Sequence, residues 1–271
     1  MAKNCRLIIV EGIPGSGKST ASKYAAGIAA KAGKKAEWTD EGTGDHPADY
    51  EFHSFIGQDK LAPFSEDEKA IINACCVQKK NGVIVPLNKV SGGLFEKLLS
   101  FKIYDGLDWE TEKPVMLEKW AEFAENAQKD TVYIFNCCLL QNPMCETMMR
   151  FGYGEEISKE YIQSILSRTA ELAPAVIYLK QNDVRSVIDN IFTERPESWQ
   201  NDVINYHVNG AYGKAHGLTG KDGYISCLEE RQRRELRILE SLNCSKLIVE
   251  DPHKDWDQAY KAISAFIRGL L

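Results

Sequence analysis

The sequence predicts an α/β protein, a three-layer α/β/α sandwich on a five-stranded parallel sheet, and three observations lead there. Four runs, Arg6-Leu7-Ile8-Ile9-Val10, Thr131-Val132-Tyr133-Ile134-Phe135, Ala175-Val176-Ile177-Tyr178-Leu179 and Lys246-Leu247-Ile248-Val249, lack the polar alternation of a half-exposed strand. Strands buried on both faces of a parallel sheet read this way. Ala36-Glu37-Trp38-Thr39 supplies a shorter fifth strand. Segments with apolar residues at helical spacing separate the strands, and the first strand runs through a glycine-rich turn into such a segment, which opens a βαβ unit.

Taken in order, the first helix carries Ala21, Tyr24, Ala25, Ile28 and Ala29 on one face and closes at Gly33 among Lys31, Lys34 and Lys35. The middle of the chain reads as mostly helical. Ser65-Glu66-Asp67-Glu68 is a capping box ahead of Ile71, Ile72 and Cys75, and Pro114 can open a helix whose inner face is Leu117, Trp120, Ala121 and Ala124. After the third strand come a helix through Met144, Met148 and Phe151 and another with Tyr161, Ile162, Ile165 and Leu166. Pro174 ends the second of these.

An irregular stretch from about Thr193 to Tyr224 follows the fourth strand, inside an insertion at about residues 182–225 that would serve as a lid. Ser226-Cys227-Leu228-Glu229 is read as a second capping box, opening a helix along Leu228, Leu236, Leu239 and Leu242. The last helix places Trp256, Tyr260, Ile263, Ile267 and Leu270 on one face. No repeat or linker divides the chain, so residues 1–271 are expected to form a single domain.

A formal net charge of -6 argues against nucleic acid as the main partner. No apolar run reaches the roughly 20 residues that span a bilayer. Met1-Ala2-Lys3-Asn4-Cys5 leads into a strand without a signal-peptide pattern, so a cytoplasmic protein with no membrane partner is expected. The eight cysteines include the adjacent pairs Cys75-Cys76 and Cys137-Cys138. They have no zinc spacing and read as reduced, small core residues.

Gly12-Ile13-Pro14-Gly15-Ser16-Gly17-Lys18-Ser19-Thr20 satisfies the Walker A pattern, between a strand and a helix as that motif requires. Its glycines let successive N–H groups turn toward phosphate oxygens, and the helix start adds its positive end. Gly12, Gly15, Ser16, Gly17, Lys18, Ser19 and Thr20 are therefore the expected ATP cradle of a P-loop NTPase fold. Lys18 would reach the β- and γ-phosphates, and the Ser19 hydroxyl would bind Mg²⁺.

Three details favour a small-molecule kinase over a GTPase or motor ATPase. The third strand ends Phe135-Asn136-Cys137-Cys138 without a Walker B acid. Asn88-Lys89-Val90-Ser91 lacks the aspartate of a guanine-reading motif, and the late insertion suits a lid. Val10-Glu11-Gly12 through Thr20, with the five-strand order, resembles the thymidylate kinase and deoxynucleoside kinase group. So do Val176-Ile177-Tyr178-Leu179, Glu194-Arg195 and the late Glu250-Asp251-Pro252. Glu41-Gly42, His46-Pro47-Ala48-Asp49 and Phe135 to Pro143 are similar to bacterial thymidylate-kinase-like proteins of undefined substrate.

The resemblance implies an acidic residue after the second strand that orients the acceptor hydroxyl. Asp40 and Glu41 stand there; Glu41 is preferred, and Asp40 reads as a turn carboxylate. It also implies a lid arginine at Arg195, with Arg185 and Arg150 as second choices, and Asp251-Pro252-His253 at the adenine edge. Asp45, His46 and Asp49 follow Glu41 and could line an acceptor site. The group's acidic-arginine pair at the third strand is replaced by Asn136-Cys137-Cys138, which leaves the acceptor open. Arg231, Arg233, Arg234 and Arg237 alternate with glutamates and read as a solvated face.

The expected function is ATP-dependent transfer to a small-molecule phosphate acceptor, nucleoside- or nucleotide-like in one version, with Lys18, Glu41 and Arg195 catalytic. Homodimer formation stays open. The alternative is a nucleotide-dependent switch that acts through a protein partner.

Overall fold

The five runs read as strands do form strands, and all five lie in one parallel sheet. The computed structural model describes residues 4–271, so the leader-free start read at Met1-Ala2-Lys3 lies outside the described residues. The chain divides into two compact units, one of residues through 41 plus 124–271 and the other of residues 42–123, although no linker in the sequence announces the division.

The first unit opens with β1 (Leu7–Gly12), α1 (Lys18–Lys31) and β2 (Lys35–Thr39). The second contributes β3 (His53–Gly57), α2 (Glu66–Cys75), β4 (Val77–Lys79), β5 (Gly82–Pro86), α3 (Gly92–Leu99) and most of α4 (Trp109–Asn126). The first unit resumes with β6 (Thr131–Asn136), α5 (Gln141–Met144), α6 (Glu155–Arg168), β7 (Ala175–Lys180) and α7 (Val184–Glu194). It ends with α8 (Glu197–Val208), α9 (Ala211–Ala215), α10 (Gly220–Ser241), β8 (Ser245–Glu250) and α11 (Trp256–Leu270).

In the first unit the strand order is β2-β6-β1-β7-β8, every neighbouring pair parallel. Strand β1 is central and buried along its whole length, with Ile9 level with Phe135 on one side and Val176 on the other. On one face Ile8, Val10, Ile134 and Ile177 pack with Ala21, Ala25 and Ile28 of α1 and with Ala259, Ile263 and Ile267 of α11. The α1 alanines fill the contact without bulk, so the helix lies close to the sheet. On the other side the Tyr178 hydroxyl donates to Glu235 of α10 at 2.5 Å, and the Gln232 side chain bonds both the N–H and the C=O of Gln181. Helices thus flank the sheet, as a three-layer sandwich requires.

Chain order makes β1 the switch point. After β1 the chain crosses to the β2 edge, and after β6 it crosses over β1 to β7, so a crevice opens beyond the carboxyl ends of β1, β6 and β7. In open α/β sheets this is where ligands bind.

The second unit adds a small sheet to the mostly helical middle that the sequence predicts. It holds a three-stranded antiparallel sheet, β3-β5-β4, over a core of Ile56, Phe64, Ile72, Val83, Val85, Leu87, Leu94 and Leu98. Strands of three to five residues are too short for periodicity to separate from a buried helix segment. The Ser65 capping box is present, with the Ser65 hydroxyl accepting from Glu68 N–H and the Glu68 carboxylate accepting from Ser65 N–H.

Two helix starts and one stretch read as irregular differ from expectation. Helix α4 begins at Trp109, five residues before Pro114, because the Asp108 carboxylate accepts from the Thr111 N–H at 2.8 Å and caps it. Helix α10 begins at Gly220, so Ser226 lies inside a running helix and its capping signal goes unused. The stretch read as irregular from Thr193 to Tyr224 is instead the end of α7, then α8, α9 and the start of α10. All eight cysteines are free thiols; Cys5, Cys137, Cys138 and Cys227 are core residues and the other four are half-buried. Among the described residues no helix is long and apolar enough to cross a membrane.

Candidate functional site

The turn after β1 has a shape that only glycine allows. Gly12, Gly15 and Gly17 have φ of +148°, +76° and +92°. A Cβ on Gly12 would sit 2.6 Å from Ser16 Oγ and 2.8 Å from the Leu179 carbonyl oxygen; one on Gly17 would sit 2.5 Å from the Trp256 ring. Gly17→Ala is therefore expected to lower stability by at least about 2 kcal/mol, combining backbone strain with a ring that must move. For a protein of this size that corresponds to a Tm drop of roughly 4–8 °C in a thermal melt.

The turn delivers the chain to the start of α1 with its hydrogen-bond donors unspent. Ser16 N–H donates to the Ile13 carbonyl at 3.2 Å, but the N–H groups of Gly15, Gly17, Lys18, Ser19 and Thr20 have no main-chain acceptor among the described residues. Helix α1 has no side-chain cap and no acid in its first turn. The buried Ser16 Oγ has no partner. Lys18 is 7% exposed, and its ammonium meets only the Ile13 carbonyl, at 3.2 Å, with no ion pair among the described residues. A buried cation beside a row of free N–H groups is a cradle for an anion.

The ends of β2 and β6 bring a second group of side chains to the start of α1. Asn136 Nδ2 donates to Ser19 Oγ at 3.0 Å and to Asp40 Oδ1 at 2.5 Å, and the Ser19 hydroxyl lies 3.4 Å from the same Asp40 oxygen. Asp40, read from sequence as a turn carboxylate, is thus part of the site. Glu41 stands beside it, accepting from Gln141 Nε2 at 2.8 Å and from the Cys137 thiol at 3.1 Å. Burial pushes that thiol well above the usual range, so it acts as a donor. Cys137 is held at φ +35°, a strained value for a non-glycine residue.

That strain curls the backbone so that four successive N–H groups, of Cys138, Leu139, Leu140 and Gln141, converge on the Glu11 carboxylate at 2.8–3.1 Å. Glu11 is fully buried at the end of β1. Burial pushes its carboxyl up, to about 7, while the four N–H donors pull toward the anion. The sequence showed it only as one acid in an otherwise apolar strand.

Beyond the loop lies a cavity of about 640 Å³, lined by loop residues from Pro14 to Thr20, by Glu41 and Gln141, and by side chains of α7, α8 and α10. Arg231, expected on a solvated face, is only 1% exposed and lines this cavity. It sits 3.1 Å from Glu235, one turn along α10, and donates through Nη1 to Cys145 Sγ at 3.4 Å. Among the described residues its Nε and Nη2 have no hydrogen-bond acceptor, and the Tyr224 hydroxyl, His207 Nε2 and Gln141 Oε1, on residues that line the same cavity, are buried without partners. Burial and the nearby Arg231 lower the His207 pKa to about 4, so the ring is neutral.

Of the expected site residues, the structure brings Lys18, Ser19, Glu41 and Arg195 to one cavity. Arg195 enters from the end of α7, exposed, with its guanidinium 5.6 Å from the centre of the Trp199 ring. Arg185 pairs with Asp222 and Arg150 with Glu146. His46 and Asp49 are buried in the second unit, where His46 Nδ1 accepts from the Ala48 N–H and Asp49 accepts from the Tyr50 N–H and the Tyr104 hydroxyl. Asp251, at φ +44°, bonds Asn182 and Lys254 at the end of β8. His207 and Tyr224 belong to the stretch expected as a lid; the residues not foreseen are Glu11, Cys145 and Arg231. No protein-family model matches the chain, and no curated protein matches it.

Proposed function

We propose that the chain is an ATP-dependent phosphotransferase of P-loop type, acting on a small-molecule acceptor in the cytoplasm. The observation that carries this reading is Lys18: a buried ammonium with no carboxylate partner, at an uncapped helix start ringed by free N–H groups. The glycines that a Cβ would obstruct and the orphaned Ser16 hydroxyl support the same reading, since the loop keeps room and donors for phosphate oxygens.

ATP would supply the transferable phosphoryl group, and Mg²⁺ would neutralise charge on its oxygens. Lys18 and the N–H groups of Gly15, Gly17, Lys18, Ser19 and Thr20 would hold the phosphates. Ser19 Oγ and the Asp40 carboxylate would face Mg²⁺, a sparse protein ligand set that suits an ion retaining water and phosphate ligands. Asn136 holds those two side chains together. Gln141 fixes Glu41, which would take the proton of an acceptor hydroxyl as that oxygen bonds phosphorus, the bridging P–O bond of ATP breaks and ADP leaves. Arg195 would add positive charge from the cavity mouth.

The test is acceptor-dependent ADP release in the presence of Mg²⁺ across a panel of hydroxyl-bearing compounds. Tight ATP binding without release from any of them would sink the assignment. Asp40→Asn is expected to raise the Mg²⁺ concentration for half-maximal turnover by about 10-fold or more, as loss of one charged metal-site carboxylate does; a magnesium titration checks this. The third strand's Asn136-Cys137-Cys138 brings no arginine to the site, which favours a nucleotide-dependent switch as the second reading. Nucleotide-dependent capture of a protein partner with negligible transfer would support it.

A further inference from the structure

The cavity beyond the loop is polar in a pattern that specifies its occupant. His207 Nδ1 lies 2.7 Å from the Val203 carbonyl oxygen. That oxygen can only accept, so Nδ1 carries the ring proton, and Nε2 is left with a bare lone pair, buried in a residue that lines the cavity. Gln141 commits its amide N–H₂ to Glu41 and to Cys137 Sγ, which leaves Oε1 as a second bare acceptor. Against these stands Arg231, whose Nε and Nη2 have no hydrogen-bond partner among the described residues, on a guanidinium that is ion-paired with Glu235 and donates to Cys145. Tyr224 adds a hydroxyl that burial keeps protonated. Trp199 and Val203 give the wall an apolar stretch.

A buried guanidinium is a poor fit for empty space and a good fit for an oxyanion, which it binds through charge-assisted hydrogen bonds. The two bare acceptors require donors from the same ligand, because a buried acceptor left unpaired is costly. Hydroxyl groups beside an oxyanion satisfy both demands at once, whereas a neutral alcohol would offer Arg231 only an uncharged acceptor and a weaker hydrogen bond. We propose that the acceptor is a small polyhydroxylated anion, a sugar acid or a sugar phosphate, whose oxyanion rests on Arg231 and Tyr224. Its hydroxyls donate to His207 Nε2 and Gln141 Oε1, and the C–H face of the sugar lies on Trp199. A further hydroxyl reaches Glu41 and receives the phosphoryl group, its proton passing to Glu41 as ADP leaves. The inference rests on the phosphotransferase reading and names the acceptor class of that site.

The experiment gives the full chain four groups of probes: aldonic and uronic acids, sugar phosphates, the neutral parent sugars and polyols, and nucleosides. ADP release is measured with Mg²⁺ and ATP, and calorimetric titration measures binding without nucleotide. The expected result is release and binding with the acids or the sugar phosphates and not with their neutral parents; which of the two responds identifies the source of the oxyanion. Arg231→Met should cut kcat/KM for the responsive anion by about 100-fold or more, and Arg231→Lys should restore part of it, as truncating one partner of a buried charged contact does. Because Glu235 is left unpaired in Arg231→Met, the wild-type comparison of anions with neutral parents stands on its own if that variant fails to fold. Release with neutral sugars or nucleosides only overturns this inference and leaves the phosphotransferase reading intact. Release with no probe, although ATP binds, overturns both.

Discussion

Lys18→Ala should remove acceptor-dependent ADP release, lowering kcat/KM by about 10³-fold, while the protein stays as stable as the wild type or becomes more so. The activity loss follows from the position of the ammonium at the uncapped start of α1, where a preorganised cation in a water-poor site contributes far more than it would in water. The stability expectation follows from its surroundings. Among the described residues only the Ile13 carbonyl meets the buried ammonium within hydrogen-bond distance, and no carboxylate forms an ion pair with it to offset desolvation. Removing such a group relieves a cost that folding otherwise bears, the stability–activity trade-off expected of a binding site. A thermal melt and an ADP-release assay on the same preparation check both halves. A Tm several degrees lower with turnover retained would show that Lys18 serves the fold and not the nucleotide.

Much of the first unit was legible because its signals are local. Buried parallel strands read as unbroken apolar runs, and Gly12, Gly15, Gly17, Lys18 and Ser19 sit at fixed spacing along one turn. What was not legible depends on contacts between distant segments. Glu11 and the four N–H groups that hold it are separated by about 127 residues, and nothing near Glu11 announces the nest. Asp40 looked like a turn carboxylate because its partner, Asn136, lies 96 residues away.

Arg231 was misread for a different reason. Four arginines among glutamates look like a solvated face, yet Tyr224, Leu228, Arg231 and Glu235 recur at intervals of three or four, with Ile238 and Leu239 continuing the same buried face. That period places Arg231 in the buried stripe, whereas its charge points to solvent. In the second unit β3 and β5 have five residues each, too few for a period, and only their pairing makes them strands.

Glu11→Ala should be the most destabilising single change at this site, costing at least about 3 kcal/mol, because it removes one acceptor from four buried donors simultaneously. Glu11→Gln is the sharper test. It keeps the volume, but three of the N–H groups bond Oε1 and one bonds Oε2, so its amide N–H₂ would face at least the Gln141 N–H and part of the loss should persist. The effect should also reach the chemistry. The nest fixes the backbone from Cys138 to Gln141, and Gln141 and Cys137 in turn hold Glu41. A loosened nest should therefore lower kcat with little change in ATP affinity, since the loop from Gly12 to Thr20 does not depend on it. Urea unfolding together with separate measurement of kcat and nucleotide binding distinguishes this from general damage. If Glu11→Gln matched the wild type in both stability and kcat, the buried carboxylate would be neither the anchor of the Cys138–Gln141 turn nor the support of Glu41.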